Sequence, residues 1–447
     1  MLYSIVRSKR IRILPILIFI PYPKKMDKFI ITLYFQTFGG NTMRITVEKR
    51  IEISNKIYPF YNAFSMDLLF YIAIDTLFLT VVKGFSAFQI SLLGVVPTLL
   101  CFLMQPILLK IIGKTGDVNA SRLGTFMLLV SAILITFGFN FWIIAIGQLI
   151  YDISFVFKNM ESIVLKRNLV YQKKENDFFK IRGQSNTIYA IITFFIALIA
   201  GTLFNINPYL PMCLCIMFCV ITCILSFLFY EVNDDKEKIN DKVEYKQHKS
   251  KFNKVVTLGL LSNTLFLGLV VIGQQDSKLF IQYQLTDWYN TSLTATYLSL
   301  IVASSRIVRI VLNLIFNKFY LKFKNKISII LSSILVLAFA FIIIGAVVPI
   351  NTTCKMLLMA LGFDLIIPLR DTFVIYIEDL LLSNSSSDEQ QRLFTKMELF
   401  RKGGKVILNL AISLLLLQVD LFYIMWLFLV LAILEIAISK KIINLKK

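Results

Sequence analysis

Ionisable residues recur at matching positions in two apolar stretches of the chain. The two sets lie 212 positions apart: Asp152, Lys158 and Asn159 in the first stretch, and Asp364, Arg370 and Asp371 in the second. Each stretch is long enough to cross a bilayer as a helix. Because an ionisable side chain at membrane depth costs about 2.5–3.5 kcal/mol on insertion scales, it usually faces an interior pathway or a partner charge. The repeat therefore predicts a polar site inside a membrane, with a contribution from each half of the chain.

The acids of the second stretch form a stripe. Asp364, Asp371 and Glu378 are seven residues apart, and seven helical residues return to within about 20° of the starting face. Arg370 points about 100° away from Asp371. The second stretch therefore presents acids along one face and a base beside them.

Two interpretations of these charges remain open. A carboxylate that is protonated from one side of a membrane and released on the other couples ion flow to solute movement. Bases such as Lys158 and Arg370 could then hold an anionic group of the solute. Alternatively, the charges lock helices together in pairs, for example Lys158 with Glu161, which lies three residues further along the same helix.

The composition is that of a helical membrane protein. Of the 447 residues, 57% are hydrophobic and 17% are charged, and the mean hydropathy is +0.74. Strand-like alternation is absent, and helices satisfy their own backbone polar groups in lipid. We predict an all-α membrane protein with about twelve spans in two pseudo-symmetric six-helix bundles. The spans are near 58–82, 89–112, 121–139, 141–165, 184–204, 209–230, 254–275, 293–316, 327–348, 353–379, 401–418 and 420–438.

The net charge of +20 follows the expected topology of the chain. Lys and Arg concentrate in alternate loops, while the intervening loops are nearly bare, with Lys83 in one and Lys278 in another. This asymmetry predicts that both termini are cytoplasmic. A nucleic-acid partner is not expected, because no run of basic and aromatic residues forms a recognisable binding module.

The chain divides into five predicted segments. Residues 1–57 form a cytoplasmic N-terminal extension, of which 1–42 are disordered or precede a true start at Met43. The two bundles occupy 58–230 and 254–438. The polar segment 231–253, which contains His248, is a cytoplasmic linker, and 439–447 is a basic cytoplasmic tail.

Several loop and helix motifs resemble those of the major facilitator superfamily, over about residues 55–440. They are the loop from Gly113 to Asp117 and on to Arg122, the segment Lys180–Gly183 that enters the fifth span, and the end of that span at Ala200–Phe204 and Asn207–Pro211. The resemblance implies a conformational latch on the cytoplasmic face, formed by Gly113, Asp117, Arg122, Arg182 and Gly183.

The resemblance also implies which charges share a chamber. In that superfamily the first and fourth spans of each half line the cavity, and the eighth span lies beside it. The expected site therefore comprises Asp67, Asp75, Asp152, Lys158, Asn159, Glu161, Asp364, Arg370 and Asp371, with Arg306 and Arg309 nearby. The charges are nearly balanced, which favours a polar solute that is anionic or zwitterionic.

The expected function is secondary active transport of a small solute by alternating access, coupled to protons or Na⁺. Export of hydrophobic drugs is an alternative, although Thr187–Leu203 lacks the Pro typical of drug antiporters. A non-transporting sensor on the same scaffold is another. An enzyme and a channel are disfavoured, because no phosphate loop, nucleophile elbow or pore loop is present.

We expect no cofactor and no metal centre. Cys215, Cys219 and Cys223 follow helical spacing, which suits a thiolate metal path but is explained more simply by small apolar side chains that pack between helices. We also expect a monomer. Richness in Ile, Phe, Lys and Asn indicates an AT-rich bacterial genome, and we therefore expect the protein in a bacterial plasma membrane.

Overall fold

A computed structural model describes residues 47–174, 177–230, 254–323, 326–383 and 387–446. The predicted extension 1–42 and the predicted linker 231–253, with His248, lie outside these described residues. Within them all regular secondary structure is helical, and no β-strand is present. The all-α prediction is confirmed.

Eight helices of the described residues precede the 231–253 segment, and we call them the first half. They are α1 (Val47–Ser65), α2 (Tyr71–Leu77), which continues as a π-helical turn (Phe78–Val82), α3 (Ala87–Thr115), α4 (Asp117–Phe137), α5 (Phe141–Lys158), α6 (Glu161–Tyr171), α7 (Asp177–Ile206) and α8 (Leu210–Ser226). Six described helices follow that segment and form the second half. They are α9 (Lys254–Trp288), α10 (Thr291–Phe323), α11 (Ile327–Val347), α12 (Thr352–Ser383), α13 (Ser387–Leu415) and α14 (Leu421–Lys446).

Hydropathy makes this chain a multi-pass membrane protein. Nine helical segments of the described residues are long and apolar enough to cross a membrane, and 71–82 and 210–226 are shorter apolar helices. The predicted first span is interrupted at Met66–Phe70, and the predicted fourth span is interrupted at Asn159–Met160. Helix α1 begins within the predicted extension 1–57, and α14 runs on through the predicted tail that begins at residue 439.

Small residues allow matching helix pairs to pack closely in each half. In the first half, a Cβ on Gly124 of α4 would lie 2.6 Å from the backbone nitrogen of Lys158 on α5. In the second half, a Cβ on Gly362 of α12 would lie 2.5 Å from the carbonyl oxygen of Ala338 on α11. Only glycine permits such approaches. The third and fourth predicted spans therefore pack against each other in both halves.

Polar contacts join the two halves at the end of the bundle that contains Lys83, which we call the Lys83 end. Helix α3 contacts α13 there, where the Ser91 and Ser413 hydroxyls are 2.6 Å apart. Helix α7 contacts α10, where the Asn205 side chain donates to the carbonyl oxygen of Ser292 over 3.1 Å. The helices are thus held together across the two halves at this end.

Candidate functional site

A cavity of about 310 Å³ lies between the two halves. Six predicted site residues line it: Asp67, Asp75, Asp152, Arg306, Arg309 and Arg370. The sequence analysis missed other polar side chains of the wall, namely Tyr71, Gln148, Tyr151, Tyr189, Gln274, Gln275, Lys278 and Lys405. The cavity is therefore lined by both halves and is rich in charge.

Two acids of the first half are held by hydroxyl groups rather than by bases. Asp67 lies at the break between α1 and α2, and its Oδ1 accepts hydrogen bonds from the Tyr151 hydroxyl over 2.5 Å and from the Leu68 backbone N–H over 2.8 Å. Asp152, on α5, accepts a hydrogen bond of 2.9 Å from the Thr98 hydroxyl of α3. These contacts fix each carboxylate while leaving its charge facing the cavity.

Asp75, the third acid that the first half contributes to the cavity wall, forms an ion pair with the second half. Lys278 of α9 contacts the carboxylate of Asp75 and donates to the carbonyl oxygen of Ile72 over 2.6 Å. One turn further along α9, the Gln282 amide donates to the Thr80 hydroxyl over 2.5 Å. Together these contacts bind α9 to α2 and its π-helical turn.

The prediction that Lys278 lies in a loop was wrong. The predicted span ended at residue 275, where polar residues begin, but α9 continues to Trp288 and Lys278 is only 4% exposed. A signal was present: Gln275, Lys278 and Gln282 recur at helical spacing. Polar residues at that spacing indicate that the helix continues past residue 275, with one polar face directed toward the cavity.

Bases dominate the second-half wall. Arg306 is 5% exposed, and its Nε has no hydrogen-bond partner among the described residues. Arg309 makes a two-pronged contact with Asp371, with Nε–Oδ2 and Nη2–Oδ1 distances of 2.8 and 3.1 Å. Arg370 and Lys405 complete this wall. The arrangement suits an anionic group, because guanidinium groups match the geometry of carboxylates and phosphates.

The acid stripe of α12 faces a neighbouring helix. Asp364 is buried and accepts a hydrogen bond of 3.1 Å from the Ser304 hydroxyl of α10, and Asp371 contacts Arg309 of the same helix. The seven-residue spacing explains why both acids face α10. Arg370, about 100° away, lines the cavity instead.

Lys158, Asn159 and Glu161 lie at the break between α5 and α6. Lys158 and Glu161 are each 3% exposed, with 3.7 Å between Nζ and Oε1, and the Lys158 Nζ lies 5.4 Å from the centre of the Phe155 ring. Six helical residues separate Asp152 from Lys158, so the two side chains point about 120° apart. The repeated phrase thus contributes Asp152 from one half and Arg370 from the other, not a symmetric pair.

The residues expected to form a latch make contacts within the first half. Asp117 accepts a hydrogen bond of 2.6 Å from Arg167, a residue that the sequence analysis did not single out. Arg122 donates to the carbonyl oxygens of Ser226, Phe227 and Phe229 at the end of α8.

The remaining latch residues are on helix surfaces. Arg182 lies over the Phe178 ring of its own helix, with its guanidinium carbon 5.9 Å from the ring centre. Gly113 and Gly183 border open space. A latch role for these residues stays a prediction.

Several solved structures have a fold similar to that of this chain. No family model and no curated protein matches the sequence. The nucleoside transporter NupG, in a mutant form, matches with a TM-score of 0.67 and 10% identity, over 89% of this chain and 100% of that one. A bacterial homologue of the iron transporter ferroportin, in an inward-facing state, matches with a TM-score of 0.65 and 13% identity, over 88% and 98%.

A third solved structure also has a similar fold. A bacterial homologue of the human lysosomal transporter Spinster, inward-facing and unoccupied, matches with a TM-score of 0.60 and 12% identity, over 88% and 96% of the two chains. At these identities the likeness concerns the fold. The chain has the fold of these transporters, which agrees with the resemblance of its motifs to the major facilitator superfamily.

Proposed function

We propose that the protein is a secondary active carrier that moves a small polar solute through the central cavity by alternating access. One observation carries the proposal: a cavity of mixed charge is lined by both halves and lies beside contacts that join the halves at the Lys83 end. Polar and ionisable side chains inside a membrane bundle mark solute or ion pathways. The similar folds, which belong to transporters by name, support this reading.

The conformation is proposed to be inward-facing. The distribution of Lys and Arg predicts cytoplasmic termini, which makes the Lys83 end extracellular. The Asp75–Lys278 ion pair and the Ser91–Ser413 contact then close the outer side. Two of the similar structures are described as inward-facing. We place the protein in the plasma membrane of a bacterium.

The charges of the wall favour an anionic or zwitterionic solute. Lys278 is paired with Asp75, and Arg309 with Asp371. The remaining bases are Arg306, Arg370 and Lys405, against the two acids Asp67 and Asp152. The bases would hold a carboxylate or phosphate of the solute. We propose that Asp67 and Asp152, each fixed by a hydroxyl, bind and release the proton or Na⁺ whose gradient drives transport.

The test is a thermal-shift screen of the purified protein against polar organic anions and zwitterions, followed by uptake of each hit into proteoliposomes. We expect a hit whose uptake depends on a proton or Na⁺ gradient. Arg306→Gln should weaken binding about tenfold or more, because a charge-assisted hydrogen bond contributes about 1.5–3 kcal/mol. Asp152→Asn should retain binding and lose the dependence on the gradient.

Lys56→Gln serves as the matched control, because Lys56 is an exposed base of α1, paired with Glu52 on the helix surface. It should leave binding and uptake unchanged. The proposal fails if hits bind Arg306→Gln as tightly as the parent protein, or if tightly bound hits never enter the vesicles. The second result would indicate a sensor on a transporter scaffold.

A further inference from the structure

A second buried carboxylate site lies in the second half. Glu435 of α14 is 0% exposed. Its Oε1 accepts a hydrogen bond from the Ser262 hydroxyl of α9, and its Oε2 has no hydrogen-bond partner among the described residues. No ion pair with Glu435 is formed within the described ranges. An ionised carboxylate buried without a positive partner is strongly disfavoured, so either a proton or a bound cation neutralises it.

Helix α11 brings a further hydroxyl to the same level. The Phe339 ring of α11 stacks on the Phe428 ring of α14, with ring centres 5.3 Å apart. Helices α12 and α14 both run opposite to α9, and α11 runs opposite to α12, so α11 and α14 are antiparallel. Ser332 precedes Phe339 by seven residues, and Glu435 follows Phe428 by seven residues. Two helical turns therefore bring both to the same face and level, about 10.5 Å below the rings.

The next turn adds two more hydroxyls by the same register. Ser328 of α11 and Ser439 of α14 are each eleven residues from their stacked ring, which again returns to the same face. The Ser439 side chain lies next to the Glu435 carboxylate. Both serines are 0% exposed, as is Ser332. Ser262 and Ser439 thus lie against the carboxylate, and the register brings Ser328 and Ser332 of α11 to the same level.

Two of these hydroxyls lack the partner that a buried helical serine ordinarily has. Ser305 of α10, equally buried, donates to the Val302 carbonyl oxygen over 2.6 Å. The hydroxyls of Ser328 and Ser332 have no hydrogen-bond partner among the described residues. A buried polar atom without a partner often marks an ion or a water position. A proton on Glu435 would occupy one oxygen, whereas a metal cation can engage several.

We propose that Glu435 and the four serines, Ser262, Ser328, Ser332 and Ser439, form a sodium site between α9, α11 and α14. Hard cations take oxygen ligands, and a single carboxylate balances one positive charge. A divalent cation would leave a buried excess charge. The site lies apart from the central cavity, and the inference holds whether or not the protein carries a solute.

The test uses the full chain with Asp67→Asn and Asp152→Asn as the parent, so that the central cavity contributes no sodium response, and measures its thermal unfolding midpoint while NaCl replaces choline chloride at constant ionic strength. A ligand that binds the folded state raises stability with its concentration, and at a hundredfold excess over Kd we expect a midpoint rise of roughly 3–5 °C. Radioactive Na⁺ binding by scintillation proximity should saturate at one ion per chain. Glu435→Gln should abolish both responses, and Ser439→Ala should shift them to higher NaCl.

Two controls keep the result specific. Ser305→Ala removes an equally buried serine whose hydroxyl already has a partner. Asp276→Asn neutralises a different buried carboxylate, which lies on α9. Both should retain the sodium response. If Glu435→Gln does not fold, Ser332→Ala and Ser439→Ala decide the question. The inference is overturned if the parent shows no sodium response, if Glu435→Gln keeps it, or if only pH moves the midpoint, which would make Glu435 a proton site.

Discussion

At the residue scale, burial separates the ion pairs into two kinds. Lys158 and Glu161 are almost fully buried, and each neutralises the other inside the first half. Arg309 and Asp371 are each about a third exposed, and Arg309 lies at the cavity wall. The burial of the first pair favours the interpretation that paired charges lock helices together, one of the two that the sequence left open. The second pair is part of the proposed solute site.

The buried pair predicts a strong stability effect. Lys158→Met removes the ion-pair partner of the buried Glu161, and breaking a buried ion pair in this way destabilises a protein by about 3–5 kcal/mol. The double variant Lys158→Met/Glu161→Gln removes both charges and should recover most of that loss. Thermal unfolding of the purified protein measures each variant.

An exposed pair provides the comparison for this experiment. Lys56→Met breaks the contact of Lys56 with Glu52 on the surface of α1, where water screens both charges, and it should leave the unfolding midpoint unchanged. A double variant no more stable than Lys158→Met alone would show that charge neutralisation is not what the pair provides.

At the element scale, the breaks in two spans position the chemistry. The chain leaves the helical path at Met66–Phe70, which puts Asp67 at the cavity, and again at Asn159–Met160, which puts Lys158 at a helix end beside Glu161. Non-helical backbone at membrane depth is tolerated only where it is buried in protein or lines a polar cavity. The break at Met66–Phe70 fulfils that condition, because Leu68 to Phe70 are buried and Asp67 lines the cavity.

The sequence predicted the helices well because lipid leaves a chain few alternatives to a helix. It also placed Asp67, Asp75 and Asp152 at a depth where the structure has a cavity. It could not predict which way a charged side chain points, and Lys158 was therefore grouped with Asp152. Nor could it reveal pairing between residues 203 positions apart, such as Asp75 and Lys278, because that pairing depends on how the halves pack.

The crossing of α7 and α10 gives a prediction about opening. A Cβ on Gly201 would lie 2.5 Å from the carbonyl oxygen of Ala295 and would also contact the Ser299 hydroxyl. Overpacking costs about 1–3 kcal/mol, and even 1 kcal/mol shifts a two-state equilibrium about fivefold. Gly201→Val should therefore favour a conformation open at the Lys83 end.

Labelling measures that opening. A cysteine at Leu79, on the cavity wall, is introduced after the six native cysteines are replaced. An impermeant maleimide added at the Lys83 end should modify it about fivefold faster or more in Gly201→Val. Gly403→Val is the control, because a Cβ there meets open space. Equal labelling rates in the two variants would mean that the α7–α10 contact does not control access.

At the scale of the whole molecule, the two halves share both the cavity and its closure. Each half supplies charges that the other lacks: acids held by hydroxyls come from the first, and bases come from the second. The contacts at the Lys83 end connect α2, α3 and α7 to α9, α13 and α10 respectively. Alternating access requires those contacts to break in each cycle, since the solute must leave or enter at that end.

A reversible cross-link at the Lys83 end tests this requirement directly. The Ser91 and Ser413 hydroxyls are 2.6 Å apart across the halves, so cysteines at both positions lie within disulfide distance. Oxidation of Ser91→Cys/Ser413→Cys should abolish uptake into proteoliposomes, and a reductant should restore it. Each single variant should transport equally with and without oxidant. Full uptake by a protein shown by its gel mobility to be cross-linked would mean that the halves need not separate at this end, and the proposed cycle would be wrong.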